Sequence, residues 1–219
     1  MEFISTRGKD GPISFETALL NGLARDGGLY LPVSWPRFTL DEIRQMRDLS
    51  YSDLAGLIMS RFTDGEINQV EMTSLARQSY ADFTHPDVAP LRPIAENIHI
   101  LELFHGPTIA FKDYAMQFLS RVFDRALTRE NRTAVILGAT SGDTGSAALE
   151  AFKGRDSVDV FILFPNGRVS PVQQKQMTSI SAKGAHAVAV SGDFDDCQDI
   201  VKACFNDVVF RDEMNLSAV

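Results

Sequence analysis

Cysteine is nearly absent: Cys197 and Cys204 are the only two among 219 residues. They fall seven apart on a stretch with helical periodicity, so helical rise separates their Cα atoms by ~10 Å, too far for a disulfide. Neither has a second cysteine or a histidine at metal-ligand spacing, which leaves two thiols on a core face as the expectation. Long apolar runs are missing too. Stretches such as Val160–Phe164 fall far short of the ~20 residues that a membrane-spanning helix needs. The N-terminus, MEFISTRGKDG, carries charge with no apolar segment behind it, so it does not read as a secretory signal, and a cytoplasmic location is expected. Positive charge is in deficit, with a net charge of -8 and a pI near 5.0. That balance argues against a nucleic acid or an acidic membrane as partner, while a local basic pocket for a small anion stays compatible with it. The four histidines, His85, His99, His105 and His186, are scattered without an H-x-x-x-H pair or a carboxylate at ligand spacing, so no metal is expected. Internal repeats and low-complexity tracts are absent.

What is present is enough apolar residue, 44%, to bury a core, in two parts of different pattern. Residues 1–92 read as a largely helical domain. Ser14 can cap a helix that Gly27–Gly28 would end, a short LYLP strand follows, and Thr39 with Glu42 has capping-box spacing. Two more helices are expected near 52–62 and 66–83. A linker is expected in THPDVAPLRP, where Pro86, Pro90 and Pro93 remove backbone donors.

Residues 93–219 read as an α/β domain. Strands are expected at Ile98–Phe104, Thr133–Thr140, Val158–Phe164 and Ala185–Val190, each followed by a helix. The first of these helices places Ala115, Phe118, Leu119, Val122, Phe123 and Ala126 on one face, and the last places Cys197, Ile200, Val201, Cys204 and Phe205 together. Ser170 and Gln173 have capping-box spacing with Pro171 at the first helical position. Four such units predict a parallel, doubly wound sheet, whose ligands bind at the carboxyl ends of the strands.

Two stretches fall at those ends. GATSGDTGSAA, residues 138–148, fails three named motifs: Thr140 breaks G-x-G-x-x-G, Asp143 stands where a Walker loop needs lysine, and Ser141 is misplaced for a nucleophile elbow. Two readings remain, a tight strand-to-helix turn or an anion cradle in which Gly142 and Gly145 turn the backbone and Thr140, Ser141 and Thr144 offer hydroxyls. In HGPTIAFKDYAMQ, residues 105–117, Lys112 precedes a helix beside Ile109, Ala110 and Phe111, with Asp113 as the expected cap. The helix dipole and an apolar setting both favour a neutral amine, which can form a Schiff base with an aldehyde such as pyridoxal phosphate. A lysine pointing into water is the alternative. His105, on the same loop, is a candidate cofactor-side contact; Arg168 and Lys175 could meet an anion or simply be solvated.

With those residues in view, the sequence resembles the threonine synthases. FHGPTIAFKD at 104–113 is similar to the family's lysine segment and GATSGDTGSAA to its glycine-containing loop. STRG at 5–8, GLARDGGLYLP at 22–32, FPNGRVSPVQQKQM at 164–177 and SGDFDDCQ at 191–198 extend the likeness along the chain. The resemblance implies a pyridoxal-phosphate lyase that converts O-phospho-L-homoserine and water to L-threonine and phosphate, with Lys112 as the Schiff-base lysine. It implies that Thr140, Ser141, Gly142, Asp143 and Thr144 face the substrate carboxylate and the cofactor's ring hydroxyl. Many relatives carry asparagine where this chain has Asp143, and a carboxylate there needs a shared proton beside a phenolate. The family's chains are longer and hold the cofactor's phosphate in a later domain, so a 219-residue fragment is expected to be inactive alone. Alternatives are a phospholyase releasing 2-oxobutanoate and a truncated, non-catalytic binding domain. The sequence sets no oligomeric state.

Overall fold

A computed structural model describes residues 1–218. Val219, the last position of the expected α/β domain, lies outside the described residues. The chain divides into two compact units, Met1–His105 and a second that begins at Gly106.

In the first unit, strands β1 (Phe3–Ser5) and β2 (Tyr30–Pro32) pair antiparallel around helix α1 (Phe15–Asn21). The Ser14 hydroxyl accepts from the Thr17 N–H at 3.2 Å, as capping requires. The helix stops at Gly22, not at Gly27–Gly28. Gly22 takes φ 67° and returns its N–H to the Ala18 carbonyl, closing the last turn earlier than the apolar spacing suggests. Helix α2 (Leu40–Gln45) carries the expected capping box of Thr39 and Glu42. Helices α3 (Tyr51–Ser60) and α4 (Gln69–Tyr80) pack closely, because Gly56 presents no Cβ; one placed there would lie 2.5 Å from the Thr73 Cα. Ile67, Met72 and Ala76 form the buried centre of this unit.

The segment expected as a linker is partly a strand. Leu91–Ala95 (β3) pairs antiparallel with Ile98–Leu101 (β4), across a tight turn in which Asn97 takes φ 60°. All nine of their residues are exposed, which suits an edge ribbon and explains why Pro93 is tolerated. Ile98–Leu101 is therefore not the first strand of the parallel sheet. The apolar spacing was that of a hairpin rather than a buried strand, and the division between units falls after His105 because the hairpin stays with the first unit.

The second unit holds the parallel sheet. Helix α5 (Lys112–Glu130) leads to β5 (Ala134–Ala139), α6 (Asp143–Phe152), β6 (Val158–Pro165), α7 (Pro171–Thr178), β7 (Ala185–Val190), α8 (Phe194–Asn206), α9 (Val208–Glu213) and β8 (Leu216–Ser217). The strand order is β7-β6-β5-β8, all parallel. The fourth strand is Leu216–Ser217, too short to carry a period. Central β6 is buried along most of its length, as its unbroken VFILF requires. Phe123 and Phe152 meet edge to face at 6.1 Å in the core between α5 and α6. On α5, Phe118, Val122, Phe123 and Ala126 are buried as expected, joined by Met116 and Leu127, while Ala115 is exposed. Cys197 is buried and Cys204 half-buried, and both are free thiols. Among the described residues no helix is long and apolar enough to cross a membrane, and no group of three or more metal-ligating side chains occurs.

Candidate functional site

Strand order locates the site. From β5 the chain steps outward to β6 and β7, then α8 carries it back past β5 to β8. Right-handed crossovers then put α6 and α8 on opposite faces, and the direction of winding switches beside β5. Ligands in such sheets bind at the carboxyl ends of the strands at that switch. The loop leaving β5 is residues 140–142, the anion-cradle stretch.

The loop is built around Thr140. Its side chain is buried, and its Oγ1 accepts from the N–H groups of Gly142 at 3.0 Å and Gly145 at 2.9 Å. Thr140 is thus an internal brace, where a hydroxyl facing a ligand was expected. Gly142 takes φ 151°, and a Cβ at this position would run into the Gln173 amide. Gly145 lies against Ile162, whose Cγ2 would be 2.8 Å from an added Cβ. With the two glycine amides turned onto Thr140, the N–H groups of Ser141, Asp143 and Thr144 have no hydrogen-bond partner among the described residues, nor do the hydroxyls of Ser141 and Thr144. These five donors stand at the positive end of α6, an arrangement that suits an anion. Asp143 is exposed, and one of its carboxylate oxygens accepts from Gln173 Nε2.

Helix α5 begins at Lys112, one position earlier than the sequence suggests, and Phe111 takes the cap position without a side-chain hydrogen bond. The Lys112 amine lies 4.8 Å from the centre of the Phe111 ring and has no hydrogen-bond or ion-pair partner among the described residues. Asp113 does not cap the helix. Its buried carboxylate reaches back to the preceding loop, accepting from the Thr108 N–H at 2.8 Å and the Thr108 hydroxyl at 2.7 Å. Burial pushes the Asp113 carboxyl above its ordinary range, opposed by those two hydrogen bonds. Between these anchors Ile109 takes φ 64°, a left-handed conformation that β-branched residues avoid.

Helix α7 touches both loops. Ser170 caps it, accepting from the Gln173 N–H at 3.2 Å. The expected capping box is only half formed. Instead of returning to the Ser170 backbone, the Gln173 side chain accepts from the Ser170 hydroxyl at 2.9 Å and donates to Asp143. One turn on, Gln176 Nε2 donates to the Thr108 carbonyl at 3.0 Å. The local sequence pattern marks no role for Gln176 and only a capping role for Gln173.

The remaining candidates stand apart from this arrangement. His105 belongs to the first unit. Its Nε2 is 2.8 Å from Glu102 Oε2, its Nδ1 is 3.4 Å from the Thr84 hydroxyl, and its ring packs on His85 and Phe104. Arg168 is exposed beside Asp193 at 3.9 Å, and Lys175 is exposed.

Residues 2–80 match the family model described as "Threonine synthase N terminus". The threonine synthase of Pseudomonas aeruginosa is 49% identical over all 219 residues, which cover 47% of that protein. Among solved structures, the pyridoxal-phosphate-bound threonine synthase from Brucella melitensis superimposes with a TM-score of 0.95 at 53% identity, over 100% of this chain and 47% of that one. Yeast threonine synthase gives 0.91 at 41% identity, over 99% and 45%. The chain spans about half the length of the curated relatives it matches. Sequence and fold together align this chain, over its whole length, with the threonine synthases.

Proposed function

We propose that this chain supplies the cofactor lysine and the substrate-anion loop of a pyridoxal-phosphate-dependent lyase, a threonine synthase acting on O-phospho-L-homoserine and water to give L-threonine and phosphate. The observation that carries the reading is the convergence on α7 of two loops. One leads into an unpartnered amine, Lys112, and the other presents five open donors at a helix N-terminus. Their chemistry fits the cofactor and its substrate: an amine with no competing acid, and donors with no competing acceptor. The solved Brucella melitensis threonine synthase, whose fold this chain shares, holds pyridoxal phosphate.

When bound, pyridoxal phosphate supplies an aldehyde for the Lys112 amine and an electron sink for negative charge developing on substrate carbons. Lys112 would hold the cofactor through its amine and would carry protons at the substrate's α and β carbons. The N–H groups of Asp143 and Thr144, with the Ser141 and Thr144 hydroxyls, bind the substrate carboxylate, and Gly142 supplies the turn that presents them. Asp143, oriented by Gln173, would meet the cofactor's ring hydroxyl, and a shared proton would relieve the repulsion between carboxylate and phenolate. Thr140 serves by shaping the loop.

Because the chain spans about half of its relatives' length, the 219 residues alone are expected to show no turnover. The full-length protein, supplied with pyridoxal phosphate and O-phospho-L-homoserine, is expected to release threonine and phosphate in equal amounts, and Lys112→Ala to release neither. Formation of 2-oxobutanoate and ammonia instead would establish a phospholyase. Anion binding without any product would establish a binding protein.

A further inference from the structure

We infer that Gln173 and Gln176 of α7 are positioning residues that hold the Lys112 loop and the Asp143 loop in register with one another. The consequence for catalysis rests on the proposed function; the hydrogen bonds do not. The two glutamines are three residues apart, so they share one side of α7. Their amides make the helix's long-range polar contacts, Gln176 to a residue 68 positions away and Gln173 to one 30 positions away. The helix itself is well anchored. Pro171 starts it, Ser170 caps it, and Met177, 1% exposed, seats it in the core.

Each contact falls where its loop is otherwise determined. Thr108 gives its N–H and its hydroxyl to Asp113 and receives Gln176 at its carbonyl, so all three of its polar groups are committed. That fixation holds the next residue, Ile109, in its disfavoured conformation, three residues before Lys112. In the other loop, Gly142 leaves free the volume that the Gln173 amide occupies, and the same amide both takes the Ser170 hydroxyl and orients Asp143. A displacement of α7 would therefore move the lysine loop and the anion loop together.

Amide hydrogen exchange in the full-length protein tests this without reference to activity. Gln176→Met is expected to speed exchange at Thr108 and Ile109 by about three- to tenfold, the loss of roughly one hydrogen bond. It should also speed exchange at Gly142 and Gly145, which Gln176 does not touch. Gln173→Met should reverse the emphasis. Gln176→Glu, which keeps the length but lacks the donor, should behave like Gln176→Met. Gln174→Met, on the same helix, should change neither loop. The inference is overturned if Gln176→Met leaves Thr108 and Ile109 unchanged, if each substitution affects only its own loop, or if Gln174→Met has the same effect. A second readout is the rate at which added pyridoxal phosphate becomes trapped on Lys112 by borohydride, expected to fall in both Gln173→Met and Gln176→Met. If the wild-type protein traps none while the exchange pattern holds, the proposed function fails and the positioning role stands.

Discussion

The loops on either side of α7 solve one problem by different chemistry. Each must hold an irregular backbone still in front of a helix, and each does so with a buried side chain that accepts two hydrogen bonds. In the lysine loop the acceptor is the Asp113 carboxylate, placed inside the helix and reaching backwards. In the anion loop it is the Thr140 hydroxyl, placed at the end of β5 and reaching forwards. Reaching backwards from the helix leaves Lys112 beside an ionisable acid that is occupied with Thr108. Reaching forwards with a neutral group gathers two glycine amides and leaves the intervening amides open, with no charge added by the brace itself. A carboxylate in the place of Thr140 would repel the anion for which the open donors are suited.

The comparison breaks most severely at Asp113. Asp113→Ala strands two buried donors of Thr108, and a loss of about 3 kcal/mol in unfolding free energy is expected from denaturant titration. A loss below about 1 kcal/mol would mean that the carboxylate is not the anchor. Thr140→Val keeps the shape and removes the acceptor of two glycine amides, with an expected loss of about 2 kcal/mol by the same measurement. Gly145→Ala brings a methyl group against Ile162 and Thr140 while leaving every hydrogen-bonding group in place, and is expected to cost about 1.5 kcal/mol. If it proved neutral, the tight packing of that loop would be disproved.

The smallest effect separates the two acceptors most sharply. Because burial raises the Asp113 carboxyl above its ordinary value near 3.8, the folded state keeps this proton to higher pH than the unfolded state. Its contribution to stability is full below that value and is lost as pH rises through the raised value. The difference in stability between wild type and Asp113→Asn should therefore decline across that window and then level off. The difference between wild type and Thr140→Val should be flat. In the first unit, Asp26 and Asp10 are held low, chiefly by hydrogen bonds from Ser5 and Tyr30, so their contribution has the opposite sign and is lost as pH falls. Comparing variants with wild type removes that background.

Legibility in the sequence followed distance along the chain. The caps at Ser14, Thr39 and Ser170 were readable because capping acts over three residues. Strands β5, β6 and β7 are readable because each has an apolar run between turn residues. Ile98–Phe104 reads as a sheet strand because alternation does not distinguish an exposed hairpin from a half-buried strand, and β8 leaves no trace because two residues carry no period. The sequence marks Asp113 and Thr140 as polar residues at the two loops but does not show which way each side chain turns. Which way a short polar side chain turns depends on the acceptors and donors that packing brings to it. Gln173 and Gln176 were hidden for the same reason, since their partners are distant in sequence.

Lys112 is proposed as the amine that takes up pyridoxal phosphate. Borohydride reduction of the full-length protein after addition of the cofactor, followed by peptide mass analysis, tests it directly. A pyridoxyl-phosphate mass on the peptide bearing Lys112, lost in Lys112→Ala, is the result expected. The same label on another lysine, or on none, would contradict the claim.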